Sequence, residues 1–167
     1  GDWNIYSMNI DGSDQRRLTS SPAADRSPAV SPDGKQVAFI SDRKGDFDVY
    51  LMNLDGSNQR PLIEPSGAYY DPIWSPDGKI LAAGSVDGKL SLLRFTSSLD
   101  LDPNFGSGGV VKTPTSSGGR EIMLEVDKEG RLLIAGNRYL YRYLSNGSLD
   151  TTFGSSGYVD LSGSYNV

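Results

Sequence analysis

The side chains available for chemistry in this 167-residue chain are carboxylates, lysines, tyrosines and hydroxyls, because the sequence has no histidine and no cysteine. Histidine is the usual general base near neutral pH, and Ser-His-Asp and Cys-His catalysis both require it. Typical catalytic zinc sites also need histidine, and without cysteine there are no thiolate metal sites and no disulfides. We therefore predict that the chain is not an enzyme and has no catalytic residues.

Carboxylates recur in Asp-Gly turns, at Asp11, Asp33, Asp55 and Asp77. Ca²⁺ takes roughly six to eight oxygen ligands. Each turn offers one carboxylate, so the favoured interpretation is a hydrogen bond within the turn. Asp46 and Asp48, on either side of Phe47, come nearest to a ligand motif, but one pair of carboxylates is too few. We expect no metal site and no cofactor.

Long segments of the sequence repeat, with two different offsets. Residues 2–19 recur at 46–63 with 10 of 18 positions identical, and residues 101–113 recur at 149–161. The offsets are 44 and 48 residues. Repeats of this length, made of short strand-like segments between turns, are typical of β-propeller blades, in which each repeat is a four-stranded sheet.

The order of the segments predicts how the blades are divided. With the strands of a blade labelled A to D from the channel outwards, the chain opens with strands C and D at residues 3–19, and complete sets follow at 27–63, 71–113 and 121–161. We predict one all-β domain over residues 1–167: a partial β-propeller with three complete four-stranded blades, a half blade, about 14 strands and no helix.

Five aromatic residues fall at matching repeat positions or within a repeat motif, and we expect them to pack between blades rather than to bind a ligand. They are Trp3, Phe47, Trp74, Phe105 and Phe153. Trp74 follows Pro72 and Ile73 on a strand A that is apolar on both faces, as in a strand that is buried on both sides. We expect its side chain to be buried.

Composition narrows the classes of partner. The net charge of −5 argues against nucleic acid, whose recognition relies on basic patches. The sequence has no apolar run of about 18 residues, so we expect no membrane insertion. The first residues lack a basic stretch and an apolar region, so we expect no signal peptide. We also expect the chain to be a fragment of a larger protein.

Residues 2–95 resemble the propeller repeats of TolB and its relatives. The matching segments are IYSMNIDGS, VYLMNLDGS, PAVSPDGKQVAFISD and PIWSPDGKILAAGS. This resemblance implies a propeller used for protein–protein contact, often in the bacterial envelope. Proteins of this type close a full ring, whereas the blades counted here make half of one.

Residues 96–167 resemble a second family, the bacterial delta-sixty repeats. The matching segments are LDPNFGSGGVV, LDTTFGSSGYV and EGRLLIAG. This resemblance implies secreted or surface proteins of bacteria, mostly of unknown function. Together the two resemblances suggest a periplasmic or extracellular location. They leave open whether the chain is a natural mosaic, an excised piece or an engineered hybrid.

The candidate ligand-binding residues lie in the loops that join strand D to strand A and strand B to strand C, around the mouth of the channel, where propellers usually bind their partners. They are Asp25, Arg26, Asp42, Arg43, Lys44, Asp46, Tyr69, Tyr70, Asp71, Asp87, Arg120, Glu121, Asn137 and Arg138. Mixed charges with two tyrosines would suit a peptide. The alternative is that these are solvated loop residues with no specific role.

The function favoured by the sequence is a non-catalytic β-propeller module for binding or scaffolding, with a protein partner or with itself. Open blade faces attract another chain, so we expect a homodimer that closes a ring, with residues 164–167 adding a strand. A four-bladed monomer is the competing arrangement. The alternative function is the propeller portion of a larger hydrolase whose catalytic domain lies outside this chain.

Overall fold

The computed structural model describes residues 3–62, 68–116, 122–136 and 138–162, in which the chain forms 14 β-strands and no helix. The half blade has β1 (Tyr6–Ser7) and β2 (Arg16–Arg17). The first blade has β3 (Asp25–Val30), β4 (Gln36–Ser41), β5 (Asp48–Asn53) and β6 (Arg60–Pro61). The second has β7 (Ala68–Trp74), β8 (Ile80–Val86), β9 (Lys89–Phe95) and β10 (Val110–Ser116). The third has β11 (Ile122–Val126), β12 (Leu132–Gly136), β13 (Tyr139–Tyr143) and β14 (Tyr158–Asp160).

Each complete blade is an antiparallel sheet whose strands follow one another in chain order. The inner strands of successive blades adjoin, with β3 against β7 and β7 against β11. The predicted all-β fold, with three blades and a half, is therefore confirmed. Three outer strands, β2, β6 and β14, are shorter than predicted, whereas β10 extends to Ser116. In β6, which has two residues, Pro61 has no N–H to extend the ladder. The strand predicted for residues 164–167 lies outside the described residues.

The core consists of three apolar clusters, one at each junction between neighbouring blades. Successive residues of one strand enter different clusters. In β8, Ile80 and Ala82 join the cluster shared with the first blade, whereas Leu81 and Ala83 join the cluster shared with the third. This division follows from the alternation of side chains along a strand, and it explains why the middle strands are apolar throughout.

The repeated Asp-Gly turns use their carboxylates internally. Asp11 Oδ1 accepts hydrogen bonds from Ser13 N at 2.9 Å and Ser13 Oγ at 2.6 Å, and Asp55 Oδ1 accepts one from Ser57 N at 2.9 Å. Hydrogen bonds from Ser13 hold the pKa of the Asp11 carboxyl below its ordinary value. The following Gly12 has φ +83°, a conformation that glycine adopts without strain.

The LDxxFG segment of the second blade folds around a buried carboxylate. Arg94 Nε donates a hydrogen bond to Asp102 Oδ2 at 2.9 Å, and its guanidinium carbon lies 4.5 Å from the centre of the Phe105 ring. Burial of Asp102 would raise its pKa, but the hydrogen bond from Asn104 N and the ion pairs with Lys79 and Arg94 bring the pKa below its ordinary value. The motif therefore joins strand C to the loop before strand D.

The third blade repeats this arrangement. Arg142 Nε donates to Asp150 Oδ2 at 2.7 Å, and the Arg142 guanidinium carbon lies 4.6 Å from the centre of the Phe153 ring. Phe153 is only half-buried, whereas its counterpart Phe105 has no exposed surface. The difference has a local cause, because residues of the third blade cover Phe105 and no described residue covers Phe153 in the same way.

The aromatic residues divide into buried and exposed. Phe105 is fully buried as predicted, and Phe47 packs against the cluster between the first and second blades. The expectation for Trp3 is wrong, because its side chain is 66% exposed. It lies at the start of the half blade, where no strand A or B is found among the described residues, so most of the indole surface stays uncovered.

Trp74 lies between the first and second blades but is half-buried rather than buried. Its indole Nε1 donates a hydrogen bond to Ala29 O of the first blade at 3.0 Å. The prediction was wrong in degree because a large amphipathic ring with an N–H is often placed where one end meets a polar partner or solvent. Trp74 therefore joins two blades at the rim of their interface.

We expect Trp74→Ala to lower the free energy of unfolding by about 2–3 kcal/mol, since the change removes half-buried ring surface and the bond to Ala29. The control is Trp3→Ala, which removes an exposed ring and should cost about 0.5 kcal/mol or less. Urea unfolding followed by circular dichroism measures both. Equal losses for the two tryptophans would contradict this assignment.

Candidate functional site

The inner strands of the first two blades carry a bulge at the same repeat position. The pairing register shifts between Arg26 and Ala29 in β3, and between Tyr70 and Ile73 in β7. Ser27 and Asp71, at the bulges, have φ values of +50° and +38°, which is uncommon for residues other than glycine. Bulges of this kind often lie next to functional sites, where they redirect a side chain.

The two bulge residues are joined to each other. Ser27 Oγ donates a hydrogen bond to Asp71 Oδ1 at 2.6 Å across the junction of the two blades. The residues are 44 positions apart, the offset of the first repeat. Asp71 was predicted for the site and Ser27 was not, although the repeat offset pairs them and could have identified Ser27.

The loop between β4 and β5 lies beside these bulges. Its turn is closed by a hydrogen bond from Gly45 N to Asp42 O at 2.9 Å, and Asp42 Oδ1 accepts one from Ala24 N at 2.8 Å, just before β3. Lys44 and Asp46 at its tip are exposed. The loop is therefore fixed at its base and presents both charges to solvent.

Two further charged residues of this loop region have their own contacts. The Arg26 guanidinium carbon lies 4.1 Å from the centre of the Phe47 ring, a cation–π contact. The pKa of the Asp48 carboxyl lies above its ordinary value. Partial burial is the main cause, nearby Lys44 opposes it, and Asp46 adds to it. This end of the first blade thus combines an aromatic ring with charges of both signs.

Asp25 and Arg43, both predicted for the site, form a buried ion pair instead of a ligand-facing surface. Arg43 Nη2 lies 2.8 Å from Asp25 Oδ2, and the Asp25 side chain has no exposed surface. The Arg43 guanidinium carbon is 5.5 Å from the Phe39 ring centre and 5.2 Å from that of Tyr50. The pair therefore stabilises the first blade.

Two charged loop residues of the other blades, Asp87 and Arg138, are paired within their own blades. Asp87 Oδ2 lies 2.6 Å from Lys112 Nζ. Arg138 pairs with Asp160, and its hydrogen bond to that carboxylate holds the pKa of Asp160 far below the usual range. These charges are exposed yet already neutralised by a neighbour.

Tyr69 and Tyr70 were expected at the mouth of the channel. Tyr69 has no exposed surface and belongs to the apolar cluster between the first and second blades, so its ring offers no surface to a ligand. Tyr70 is half-buried against the next cluster. Alternation along β7 directs the two rings into the junctions on either side. Arg120, Glu121 and Asn137 lie outside the described residues.

A groove of about 410 Å³ opens on a different part of the surface, beside the turns that follow β3 and β7. Trp74, Gln36 and Thr96 are among the residues that line it. No group of three or more acidic side chains in the described residues is arranged to hold a metal ion. The described residues also include no helix long and apolar enough to cross a membrane.

Comparison with known families identifies the chain. The model of the TolB beta propeller domain matches residues 1–135, so the chain belongs to this family of β-propellers. The match continues past residue 95 into the third blade. A second model, the domain of unknown function (DUF5122) beta-propeller, matches residues 129–153.

The similarity to one curated protein is confined to a short segment. The chain is 49% identical over 45 residues to a protein TolB homolog of Chlorobium luteolum, a match that covers 27% of the chain and 10% of that protein. The matched segment is therefore a small part of the curated relative.

Two solved structures share the fold over most of the chain. TolB from Acinetobacter baumannii superposes with a TM-score of 0.64 at 23% identity, covering 95% of this chain and 37% of that one. An oligogalacturonate lyase in complex with manganese gives a TM-score of 0.64 at 15% identity, covering 90% and 43%. At these identities the likeness establishes the fold alone, and the chain spans less than half of either protein.

We expect Arg43→Ala to destabilise the chain by about 3–5 kcal/mol, because it leaves the Asp25 carboxylate buried without its cation. The matched control is Lys112→Ala, which breaks an exposed pair and should cost less than about 1 kcal/mol. Lys44→Ala should be neutral, since its side chain is solvated. Unfolding in urea measures all three, and a loss for Arg43→Ala no larger than for Lys112→Ala would refute a structural role for the buried pair.

Proposed function

We propose that the chain is a non-catalytic β-propeller module that acts as a binding scaffold, and that two copies assemble as a homodimer to complete a ring. The observation that carries this proposal is the outward face of the third blade. Met123, Ala135, Leu140 and Val159 are cross-strand neighbours on that face, and Met123 is 64% exposed.

The same face of the second blade is covered. Leu92 and Val111, which correspond to Leu140 and Val159 at the offset of 48 residues, are both buried, and both belong to the cluster between the second and third blades. The outward face of the third blade therefore has the composition of an inter-blade contact without a neighbouring blade among the described residues. Exposed apolar surface of this kind favours association.

The half blade has a matching open face at the other end. Tyr6 and Met8 are exposed there, while Ile5, with the opposite orientation, packs on the first blade. Propellers typically have about four to eight blades. Two copies related by a two-fold axis supply about seven, which supports a dimeric ring.

For the binding role we propose the loop of the first blade, where Lys44 and Asp46 are exposed beside Arg26. Within the described parts of the chain Lys44 and Asp46 form no ion pair, whereas Arg43, Asp87 and Arg138 each do. This difference supports contact with a protein partner of mixed charge. The alternative of a hydrolase propeller has no separate support among the described residues, and its chemistry would have to come from outside this chain.

Mass in solution tests the assembly. We expect multi-angle light scattering of the 167-residue chain at micromolar concentration to give twice its mass of 18.0 kDa. Dilution should shift the mass towards the monomer, as mass action requires. A constant mass of 18.0 kDa across the concentration range would refute the homodimer.

A further inference from the structure

We propose a specific contact that builds this assembly: a notch on the third blade binds the Asp-Gly turn of the half blade from a second copy. The notch consists of Arg142, Phe153, Gly154 and Val159, and the turn is residues 9–13. The proposal rests on the proposed self-association. It comes from an equivalent contact that is already present inside the chain.

The equivalent notch on the second blade is occupied by a turn of the third blade. Gly106 N donates a hydrogen bond to Asn146 O at 3.0 Å, and Arg94 Nη1 donates one to Ser145 O. Phe105 and Gly106 thus form a receptor for the turn at residues 144–148, and Arg94 fixes its orientation.

The centre of the docked turn must be glycine. A Cβ on Gly147 would lie 2.8 Å from Gly106 N and 2.8 Å from Val111 Cγ2, closer than real Cβ contacts. Gly147 also has φ +85°, which favours glycine independently. The fit between notch and turn is therefore selective for a turn with glycine at this position, as at Gly147.

The notch on the third blade has the same parts and no turn. Arg142 pairs with Asp150 through Nε, which leaves its terminal nitrogens without a partner among the described residues. Gly154 N likewise donates to no described acceptor. Phe153 and Val159, the counterparts of Phe105 and Val111, remain half-buried.

The half-blade turn has the form that this notch requires. Asn9 N donates to Ser13 O and Gly12 N donates to Asn9 O, both at 2.9 Å. The docked turn has the same two bonds, from Leu144 N to Ser148 O at 2.8 Å and from Gly147 N to Leu144 O at 2.9 Å. The carbonyl oxygens of Ile10 and Asp11 accept no hydrogen bond from a described residue. They correspond to those of Ser145 and Asn146.

The correspondence between the two notches, and between the two turns, gives the contacts expected between copies. Arg142 donates to Ile10 O, Gly154 N donates to Asp11 O, and Gly12 packs over Phe153 and Val159 of the other copy. Within one chain the turn is undocked, because no atom lies within 4 Å of a Cβ built on Gly12. The exposed turn and the exposed notch therefore suit a second copy of this chain.

A substitution on the notch face tests the contact. Leu140→Glu places a charge beside Val159, and we expect it to raise the dissociation constant of the dimer by about 100-fold or more, since the carboxylate would be buried unpaired. The control is Leu54→Glu, on the exposed turn of the first blade, which should leave the constant unchanged. Far-UV circular dichroism checks that both variants fold.

Crosslinking locates the contact without disturbing the core. Ser145 and Asn104 both lie beside Arg94, whose Nη1 donates to Ser145 O and whose Nη2 is 3.5 Å from Asn104 O. Ile10 is the counterpart of Ser145, and Thr152 is the counterpart of Asn104. We therefore expect Ile10 of one copy to lie close to Thr152 of the other. In this cysteine-free chain, a mixture of the Ile10→Cys and Thr152→Cys variants treated with a short bismaleimide should give a covalent dimer. Leu54→Cys with Thr152→Cys should give none.

The outcomes separate the two proposals. A wild-type dimer that survives Leu140→Glu and does not crosslink through residues 10 and 152 overturns this contact and leaves self-association intact. A wild-type monomer overturns both. Crosslinking inside a single chain that carries both cysteines, at a mass of 18.0 kDa, identifies closure on the same copy and also overturns the proposal.

Discussion

The structure depends on the burial of each middle strand on both faces. Residues of β4, β5, β8 and β9 are apolar in both directions, so every complete blade needs a neighbour on each side to remove that surface from water. A single four-stranded sheet of this composition would expose half of its apolar side chains. The stability of the fold therefore comes from the junctions between blades, as interfaces between neighbouring repeats stabilise other repeat proteins.

The two kinds of repeat use different side chains to hold one blade against the next. In the first repeat, Gln59 Nε2 donates to Leu18 O of the preceding blade at 3.0 Å while Gly56 packs against the same residue. In the second, Arg94 and Gly106 donate to the carbonyls beside Gly147. In both, a glycine-centred turn meets the outer part of the preceding blade, which explains how two repeat families can continue one propeller.

The strands and blades can be predicted from the repeats, because the repeat length and the turn residues are both visible in the sequence. They do not reveal which junction a side chain enters or what covers it. Tyr69 is adjacent to Tyr70 in sequence, yet the two rings enter different clusters. Asp25 and Arg43 are surface-like residue types, and only their pairing, 18 positions apart, makes them core residues. Trp3 matches Phe47 in the repeat, but the part of the chain that the structure describes includes no strand A or B for its half blade.

Structural charges differ from those available for binding in having a partner within their own blade. Charged loop residues in a propeller are often assigned to ligand binding because loops carry function, but Arg43, Asp87 and Arg138 each have an acidic or basic partner in their own blade. An ion pair within a blade fixes a loop and reduces the field that a ligand would experience. Apolar blade faces have no comparable internal partner, because a flat sheet cannot cover itself. The proposed association through those faces therefore has the same physical basis as the packing of the core.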